Sequence, residues 1–502
     1  MSADTLPPGA EPDEAWVGRR VTVAGLGVTG ESAARVLAGL GARVVVVDGG
    51  DGERQRARAE ALRAAVPDGD LTVRLGDGAT LPEDTGLVVT SPGWPPSAPL
   101  FAAAAKAGVP VIGDIELARR LRRPAADGTP PAEWLAITGT NGKTTTVRML
   151  AAMLEAAGLR TAAVGNVGTP LLDVVRSAEP YDVLALELSS YQLHWSPKIA
   201  AHSAAILNIA PDHLDWHGGP EAYAAAKARI YEGNRVACVY NADTPDGEIP
   251  VREAEVEEGC RAIGFTLGVP APSQLGVVDD LLVDRAFGPD RRRAARELAA
   301  VSDVRPAAPH NVANALAAAA LALAHGVEPR AVRDGLRAFR PDAHRISTVA
   351  RRAGVEWVDD SKATNPHAAA ASLAAYDPIV WIAGGLAKGA TFDDLVRDAA
   401  LRLRAVILLG AERALIAEAL RRHAPDVPVV DLERTDTGAM AEAVREADRL
   451  ARPGDTVLLA PACASMDMFT HYMERGDAFA GAVRALPAAD PDTGAADGDG
   501  PG

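Results

Sequence analysis

A local pattern that repeats along the chain constrains its fold more than any other feature: a short apolar strand, a glycine-containing turn and then a helix. The pattern occurs at residues 20–24 followed by 31–40, and again at residues 134–138 followed by 143–154. Short apolar strands that alternate with helices are typical of parallel sheets covered by helices on both faces. The sequence therefore predicts an α/β fold.

The length of the chain predicts several domains, because single hydrophobic cores stop growing well below 502 residues. We expect three. Hydrophobic residues make up 48% of the chain and aromatic residues only 4%, so the cores must be built from Ala, Val and Leu. A helical stretch that ends at Pro341, before a new strand at residues 355–358, predicts a domain boundary. We expect both termini, residues 1–18 and 488–502, to be disordered tails.

Charge and composition exclude several classes of protein. The formal net charge of −16 would repel a phosphate backbone, so nucleic acid is not expected as a partner. The three cysteines include no C-x-x-C pair, which argues against a disulfide framework or a thiolate zinc site. The N-terminus lacks the pattern of a secretory signal, and the longest apolar run, residues 312–324, is too short for a membrane span. We expect a cytoplasmic protein without membrane insertion.

The first glycine loop, residues 25–30, has the sequence GLGVTG and lies between a strand and a helix, and Asp48 ends the next strand. This arrangement matches the dinucleotide fingerprint, in which backbone N–H groups hold a pyrophosphate and the acid meets a ribose. A UDP-sugar supplies a pyrophosphate as well as NAD does. The loop alone therefore leaves the ligand open.

The second glycine loop, residues 139–145, has the sequence GTNGKTT and again leads from an apolar strand into a helix. It departs from the usual phosphate-binding loop because Ile137 stands where the first glycine belongs. It keeps a series of backbone N–H groups, Lys143 to reach the outer phosphates and Thr144 to bind magnesium. ATP is the expected ligand.

Further candidate residues follow other strands. Glu187, at the end of an apolar strand, stands where a metal ligand would lie beside the phosphate loop. Taken singly, a histidine such as His213 is more often a structural residue than a ligand, and a helical lysine such as Lys227 usually lies on a solvated face. Polar clusters also follow three strands of the C-terminal third, at residues 359–365, 383–388 and 461–467, and together they predict a ligand site at one edge of a sheet.

Taken together, these motifs resemble the Mur ligases of cell-wall synthesis, over roughly residues 21–479. The GTNGKTTT and ELSS segments and the Asp-His pair at residues 212–213 are shared by the wider superfamily and indicate only the reaction type. The combination of GLGVTG, SPG, DSKATN and APACASMDMF is typical of the members that add D-glutamate. Two departures are Ala460, where those members usually have Ser, and Tyr472, where Phe is common.

The resemblance implies three domains: a Rossmann-like UDP-substrate-binding domain at residues 19–112, a central ATP-binding domain at 113–341 and a Rossmann-like amino-acid-binding domain at 342–487. It implies a monomer whose C-terminal domain closes over ATP. The expected substrates are UDP-N-acetylmuramoyl-L-alanine, D-glutamate and ATP. The expected cofactor is Mg²⁺, as two ions.

The resemblance also implies the role of each site residue. Lys143, Glu187, His213 and a carbamylated Lys227 are the expected catalytic residues, and Thr144, Glu187, His213 and Lys227 are the expected metal ligands. A carbamate makes chemical sense because it turns a cation into an oxygen ligand, which magnesium prefers. The expected ATP-binding residues are Gly139, Thr140, Asn141, Gly142, Lys143, Thr144, Thr145, Asn311, Asn314, Arg345 and Asp360.

Two further sets complete the assignment. The UDP-substrate is expected to contact Gly27, Val28, Thr29, Asp48, Gly93 and Asn166. D-Glutamate is expected to contact Lys362, Thr364, Lys388, Ser465, Met466 and Tyr472.

The implied reaction transfers the γ-phosphoryl group of ATP to the substrate carboxylate, after which the amine of D-glutamate attacks the acyl phosphate. Three alternatives remain at the level of sequence. An NAD-dependent oxidoreductase would leave the second loop without a task, and a non-catalytic homologue should have lost a residue such as Lys143. A ligase that adds another amino acid would need a different C-terminal site.

Overall fold

The computed structural model describes residues 6–125, 127–245, 247–341 and 344–487. The chain divides after Phe339 into two compact units. The first unit holds sheets of five and nine strands, and the second holds a sheet of six strands. All three sheets are mostly parallel and flanked by helices, which confirms the predicted fold class.

The five-stranded sheet is entirely parallel, in the order β3-β2-β1-β4-β5. Its strands are β1 Arg20–Ala24, β2 Arg43–Asp48, β3 Leu71–Leu75, β4 Leu87–Thr90 and β5 Val111–Gly113, and its helices are α1 Val28–Gly39, α2 Glu53–Ala65, α3 Pro99–Lys106 and α4 Asp114–Arg120. The strand order reverses direction between β1 and β4. Ligands of open α/β sheets bind at such a point, outside the carboxyl ends of the strands.

Residues 6–18 correct one expectation. A 3₁₀ turn spans Asp13–Trp16, and the Trp16 side chain is fully buried in the core beneath the first sheet. Arg176 donates two hydrogen bonds to the carboxylate of Asp13, at 2.8 and 2.9 Å. These residues are therefore not part of a disordered tail, because a buried indole and an ion pair fix them. Residues 1–5 and 488–502, for which disorder was also expected, lie outside the described residues.

The nine-stranded sheet has the order β14-β13-β12-β11-β10-β9-β6-β8-β7, antiparallel only where β13 pairs with its two neighbours. Its strands are β6 Glu133–Thr138, β7 Thr161–Gly165, β8 Val183–Glu187, β9 Ser203–Ile206, β10 Ala237–Asn241, β11 Arg261–Phe265, β12 Gln274–Val278, β13 Leu281–Asp284 and β14 Arg296–Ala300. The helices are α5 Lys143–Ala156, α6 Leu171–Val175, α7 Ser190–His194, α8 Leu214–His217, α9 Pro220–Ala228, α10 Ile249–Glu253, α11 Pro309–Ala324 and α12 Pro329–Ala338, with 3₁₀ turns at Arg229–Tyr231 and Val301–Asp303.

Contacts cross the expected boundary at residue 113. The Gly113 N–H donates to the carbonyl oxygen of Trp195 at 2.9 Å, and Arg35 pairs with Asp173 at 2.5 Å. These contacts join the five-stranded and nine-stranded sheets in one compact unit. The apolar run at 312–324 lies within α11, whose alanines and leucines pack into the core of the larger sheet. In the part of the chain that the structure describes, every helix is too short or too polar to traverse a bilayer.

The second unit contains a sheet in the order β15-β16-β20-β17-β18-β19, parallel except for the edge strand β15. Its strands are β15 Ser347–Arg352, β16 Val355–Asp359, β17 Ile379–Ala383, β18 Leu403–Leu408, β19 Val429–Asp431 and β20 Thr456–Leu459. Its helices are α13 Pro366–Leu373, α14 Asp393–Ala399, α15 Arg413–His423, α16 Ala439–Leu450 and α17 Tyr472–Arg484, with a 3₁₀ turn at Ala400–Arg402. The strands β16, β20 and β17 are neighbours, so the loops that follow them meet at one edge.

Candidate active site

The second glycine loop connects the buried strand β6 to α5 and is held in place by its neighbours. Gly142, the residue before α5, has a φ of 83°, and a Cβ there would lie 2.4 Å from Oδ1 of Asn314. Asn208 accepts a hydrogen bond from the Asn141 N–H at 2.9 Å and donates one to its carbonyl oxygen at 3.1 Å. Glycine is therefore required at position 142, and the loop N–H groups lie at the start of a helix, where anions bind.

Two lysines converge on this loop. The Lys143 Nζ donates to the carbonyl oxygens of Gly139, at 2.8 Å, and Thr140, at 2.9 Å. The Lys227 Nζ donates to the same Gly139 carbonyl oxygen at 2.9 Å. Helix geometry left the direction of Lys227 open, and α9 turns it inward, where only 1% of its surface is exposed.

The environment of Lys227 disfavours its charged form. Burial lowers the pKa of Lys227 well below its usual value, and the nearby charge of Lys143 lowers it further, whereas Asp212 and Glu187 act in the opposite direction. A buried amine without a carboxylate bonded to it prefers to be neutral. Lys227 is thus an amine that can act as a nucleophile or accept a modification.

Tyr223 links this lysine to the phosphate loop and was not assigned a role from sequence. Its hydroxyl lies 2.9 Å from Oγ1 of Thr140, and the Lys227 Nζ lies 4.7 Å from the centre of its ring. Thr140 Oγ1 also accepts the Ala210 N–H at 3.0 Å. Tyr223 precedes Lys227 by one helical turn, and that spacing was the available signal.

Glu187 lies at the end of β8, as expected, and only 1% of its surface is exposed. The Asn166 side chain donates to its Oε1 at 2.8 Å, which brings together two residues that were assigned to different ligands. Oε2 of Glu187 has no hydrogen-bond partner among the described residues. A buried carboxylate oxygen without a partner fits a hard cation such as magnesium.

His213 lies between Asp212 and Tyr191. Its Nε2 is 3.6 Å from Oδ2 of Asp212, and its ring centre is 4.9 Å from that of Tyr191. His213 has a φ of 52° and directly precedes the short helix α8. Across residues 6–125, 127–245, 247–341 and 344–487, His, Cys, Asp and Glu side chains do not form a group of three or more that could hold a metal ion.

The remaining residues predicted for ATP in this unit lie in α5 and α11. Thr144 and Thr145 lie in the first turn of α5 and are half-buried. Asn314 Nδ2 lies 3.4 Å from Oδ1 of Asn311, whose own Nδ2 donates to the Pro306 carbonyl oxygen at 3.2 Å. The predicted asparagines are therefore brought beside the phosphate loop by α11.

The first glycine loop forms a second candidate site, at the carboxyl ends of β1 and β4. Asp48 accepts the Leu26 N–H at 2.7 Å and the Gly50 N–H at 2.8 Å, so it fastens the loops after β1 and β2 to each other. A Cβ on Gly30 would lie 1.9 Å from the Gly25 carbonyl oxygen, which explains the third glycine of the fingerprint.

The other residues predicted for the UDP-substrate lie around that loop. Gly27 and Thr29 are half-buried at the start of α1, where Val28 is 58% exposed, and Gly93 is exposed in the loop after β4. Asn166 lies instead beside Glu187, at the end of β7 in the larger sheet. Asn166 is therefore separated from the other residues assigned to the UDP-substrate.

In the second unit, Asp360 is buried immediately after β16. Burial raises the pKa of its carboxyl to about 6, although the Ser372 hydroxyl donates to Oδ2 and the charge of Arg345 acts in the opposite direction. The Lys362 Nζ lies 4.2 Å from the centre of the Tyr472 ring, within the range of a cation–π contact. The residue that departs from the usual Phe therefore keeps an aromatic face towards Lys362.

The loops after β16, β20 and β17 are joined by backbone hydrogen bonds. The Ala462 N–H donates to the Ala363 carbonyl oxygen at 2.9 Å, and Leu386 and Ala464 exchange two hydrogen bonds of 2.9 Å. This brings together the loops that carry the residues predicted for D-glutamate. Lys388 and Met466 are exposed, Thr364 and Tyr472 are half-buried, and Ser465 is buried.

Arg475 holds these loops in place and was not found from the sequence. Its guanidinium is buried and donates to Oγ of Ser361 at 3.0 Å, to the Ser361 carbonyl oxygen at 2.8 Å and to the Cys463 carbonyl oxygen at 3.0 Å. Burial lowers the pKa of Arg475 to about 10. An arginine in a helix that follows the last polar cluster gave no pattern from which this role could be predicted.

Models of three domain families match successive parts of the chain. The Mur ligase MurD-like N-terminal domain matches residues 19–113, the Mur ligase middle domain matches 137–322, and the Mur ligase glutamate ligase domain matches 344–463. The first two include the two glycine loops.

Curated relatives match nearly the whole chain. A UDP-N-acetylmuramoylalanine–D-glutamate ligase of Streptomyces coelicolor is 71% identical, over 94% of this chain and 99% of that protein. One of Thermobifida fusca is 60% identical, over 93% of this chain and 99% of that protein.

Solved structures agree at the level of the fold. A UDP-N-acetylmuramate–alanine ligase of Thermotoga maritima has a TM-score of 0.54 at 16% identity, over 93% of this chain and 99% of that one. A pseudomurein peptide ligase of Methanothermus fervidus has a TM-score of 0.53 at 18% identity, over 88% of this chain and 96% of that one. Because these curated relatives are 60–71% identical over almost their full length, the chain belongs to the Mur ligase family, in the group of UDP-N-acetylmuramoylalanine–D-glutamate ligases.

Proposed function

We propose that this protein is an ATP-dependent ligase that joins D-glutamate to UDP-N-acetylmuramoyl-L-alanine, through an acyl phosphate, in peptidoglycan precursor synthesis. The structural observation that supports the phosphoryl-transfer step is the convergence of Lys143 and the buried Lys227 on one carbonyl oxygen of the phosphate loop. Relatives with this substrate in their names are 60–71% identical over nearly the full chain.

The phosphate loop binds ATP in this proposal. Backbone N–H groups of residues 142–145, at the start of α5, face the phosphates, and Lys143 leaves the loop carbonyls to neutralise the γ-phosphoryl group during its transfer. The substrate carboxylate takes the γ-phosphoryl group and ADP leaves. Asn311 and Asn314 complete the ATP site from α11, and Arg345 and Asp360 are assigned to the nucleotide from the second unit.

We assign two magnesium ions to the residues beside the loop. Thr144 would hold one ion, and Glu187, His213 and a carbamylated Lys227 would hold the other, because the buried Oε2 of Glu187 lacks a protein partner in the described chain. Bound there, magnesium would neutralise the charge that develops on the transferred phosphoryl group.

Lys227 forms its carbamate by direct reaction with CO₂, and no second enzyme is needed. Its neutral amine attacks the carbon of CO₂, a nitrogen–carbon bond forms and one proton is released to solvent. The burial that lowers the pKa of Lys227 supplies the neutral amine. The product is an oxygen donor in place of a cation that would repel magnesium.

The second unit binds D-glutamate. The Lys388 ammonium pairs with a carboxylate of the amino acid, and Lys362, Thr364, Ser465, Met466 and Tyr472 complete the site. The amine of D-glutamate then attacks the acyl carbon, phosphate leaves and the amine loses its proton. The UDP moiety lies against Gly27, Val28, Thr29, Asp48 and Gly93, with Asn166 near the reacting end of the same substrate.

The setting of the reaction follows from its substrates. An enzyme that consumes ATP and a UDP-linked precursor works where both are made, so we place it in the cytoplasm. One chain carries every residue assigned above, so the proposal requires no second subunit.

Oxygen labelling tests the proposed intermediate. UDP-N-acetylmuramoyl-L-alanine that carries ¹⁸O in its alanine carboxylate is incubated with ATP, magnesium and D-glutamate, and the phosphate is analysed by mass spectrometry. We expect one labelled oxygen in each phosphate, because the carbon–oxygen bond breaks when the amine attacks the acyl phosphate. Label in AMP, or unlabelled phosphate alongside amide product, would overturn the proposal.

A further inference from the structure

Two cysteines of the larger sheet lie close together outside the candidate sites. The Sγ atoms of Cys238, in β10, and Cys260, immediately before β11, are 3.9 Å apart. Cys238 is buried and Cys260 is partly exposed, so solvent reaches one thiol of the pair.

The two thiols of the pair differ in pKa. The contact between the two sulfurs together with burial raises the pKa of Cys238, whereas the same contact lowers the pKa of Cys260. The thiolate is the reactive form of cysteine. Cys260 is therefore both the accessible and the more nucleophilic member.

The backbone around both cysteines is already fixed in register. Arg261 N–H donates to the Val236 carbonyl oxygen at 3.0 Å, and Glu257 N–H donates to the Asn234 carbonyl oxygen at 2.9 Å. Residues 237–241 pair with 261–265 as parallel strands. A disulfide has an S–S distance of about 2.05 Å, so the two sulfurs must move closer for the bond to form. Side-chain movement can bring them together while the strand pairing stays as it is.

We propose that Cys238 and Cys260 form an intramolecular disulfide when the protein meets a hydroperoxide, and that this bond is a reversible staple across the β10–α10–β11 crossover. The Cys260 thiolate attacks the peroxide oxygen, which gives a sulfenic acid and an alcohol or water. The Cys238 thiol then attacks the sulfenic sulfur and water leaves. The two thiols lose two electrons and two protons, and the oxygen–oxygen bond takes them up.

The staple stabilises the fold without altering catalysis. Cys238 lies in the first half of β10, away from the carboxyl edge of the sheet that carries the phosphate loop. The bond closes a loop in the unfolded chain, which raises the free energy of unfolding of the oxidised protein.

The test treats the full chain with stoichiometric hydrogen peroxide and removes the excess. We expect the thiol titration in denaturant to fall from three to one, the mass to fall by two hydrogen atoms and peptide mapping to find the 238–260 bond. The Tm of the oxidised protein should rise by about 5 °C, return after dithiothreitol and leave kcat unchanged. Cys238→Ser and Cys260→Ser should each abolish the rise, and the buried Cys463→Ser should keep it.

Several results would overturn the staple. They are sulfinic or sulfonic acid at Cys260 in place of the bond, a disulfide that includes Cys463, a bond between two chains, and a 238–260 bond that leaves the Tm unchanged. The wild-type mapping decides the question even if a serine variant fails to fold.

Discussion

Lys143 and Lys227 donate hydrogen bonds to one acceptor, the Gly139 carbonyl oxygen, at 2.8 and 2.9 Å. Two ammonium groups on one carbonyl repel each other, and burial adds to the cost for Lys227. Burial therefore disfavours the charged form of Lys227, which lies deeper than Lys143. The relationship therefore separates the roles of the two lysines before any ligand is considered.

Removal of Lys227 tests the carbamate. Lys227→Ala should lose nearly all ligase activity, and a small carboxylate such as acetate should restore part of it by filling the space with an oxygen donor. Lys198→Ala, which removes an exposed lysine from the same unit, should behave like the wild type. Near-normal activity of Lys227→Ala would show that the carbamate role does not apply to this chain.

Removal of Lys143 separates ATP chemistry from binding of the UDP-substrate. Lys143→Ala should lower kcat by about a thousandfold or more, because its charge acts on the transferred phosphoryl group. Calorimetric titration should show unchanged affinity for UDP-N-acetylmuramoyl-L-alanine, since Asp48 and its loop lie on the other sheet. Lys106→Ala serves as the exposed control. Loss of both properties in a folded variant would argue against two separate nucleotide sites.

Asp360 predicts a pH-dependent stability. Its folded pKa of about 6 lies above its unfolded value of 3.8, so it contributes stability fully below pH 3.8 and loses it as the pH rises through 6. Asp360→Asn should therefore gain stability relative to the wild type between pH 4 and 6, by roughly 3 kcal/mol at most, and keep the gain at higher pH. Activity should fall, because the variant lacks a charge assigned to the nucleotide site.

Calorimetric unfolding at several pH values measures the effect of this change. Asp398→Asn, which removes an exposed carboxylate of the same unit, is the matched control. A stability difference for Asp360→Asn that stays constant from pH 4 to 8 would refute the raised pKa.

Lys388 tests the D-glutamate site. Lys388→Ala should raise the KM for D-glutamate much more than the KM for ATP, because a lost binding contact appears in KM. Its side chain is exposed beside the joined loops after β17 and β20, so the fold should tolerate the change. Arg421→Ala, another exposed cation of this unit, is the control. Equal effects on both KM values would move Lys388 out of the site.

The parts of the fold that follow local rules could be predicted from the sequence. The strand Arg20–Ala24 has its expected bounds, and α5 begins at Lys143 as expected, because an apolar run and a glycine turn define each end. Glu187 ends its strand for the same reason. These features depend on residues close together in the chain.

Features that depend on tertiary packing could not be predicted. The inward direction of Lys227 depends on how α9 packs against the phosphate loop. Trp16 is buried against a sheet whose strands all come later in the sequence. Arg475 binds carbonyl groups more than a hundred residues apart in sequence, those of Ser361 and Cys463. No local pattern carries such information.

The choice of amino acid distinguishes a D-glutamate ligase from a ligase of another specificity. Phosphate release is measured with ATP, magnesium and UDP-N-acetylmuramoyl-L-alanine against a panel that contains D-glutamate, L-glutamate, D-aspartate, L-alanine, L-lysine and meso-diaminopimelate. We expect D-glutamate alone to support rapid phosphate release, together with an equal amount of the amide product. Faster release with another amino acid, or none with D-glutamate, would contradict this expectation.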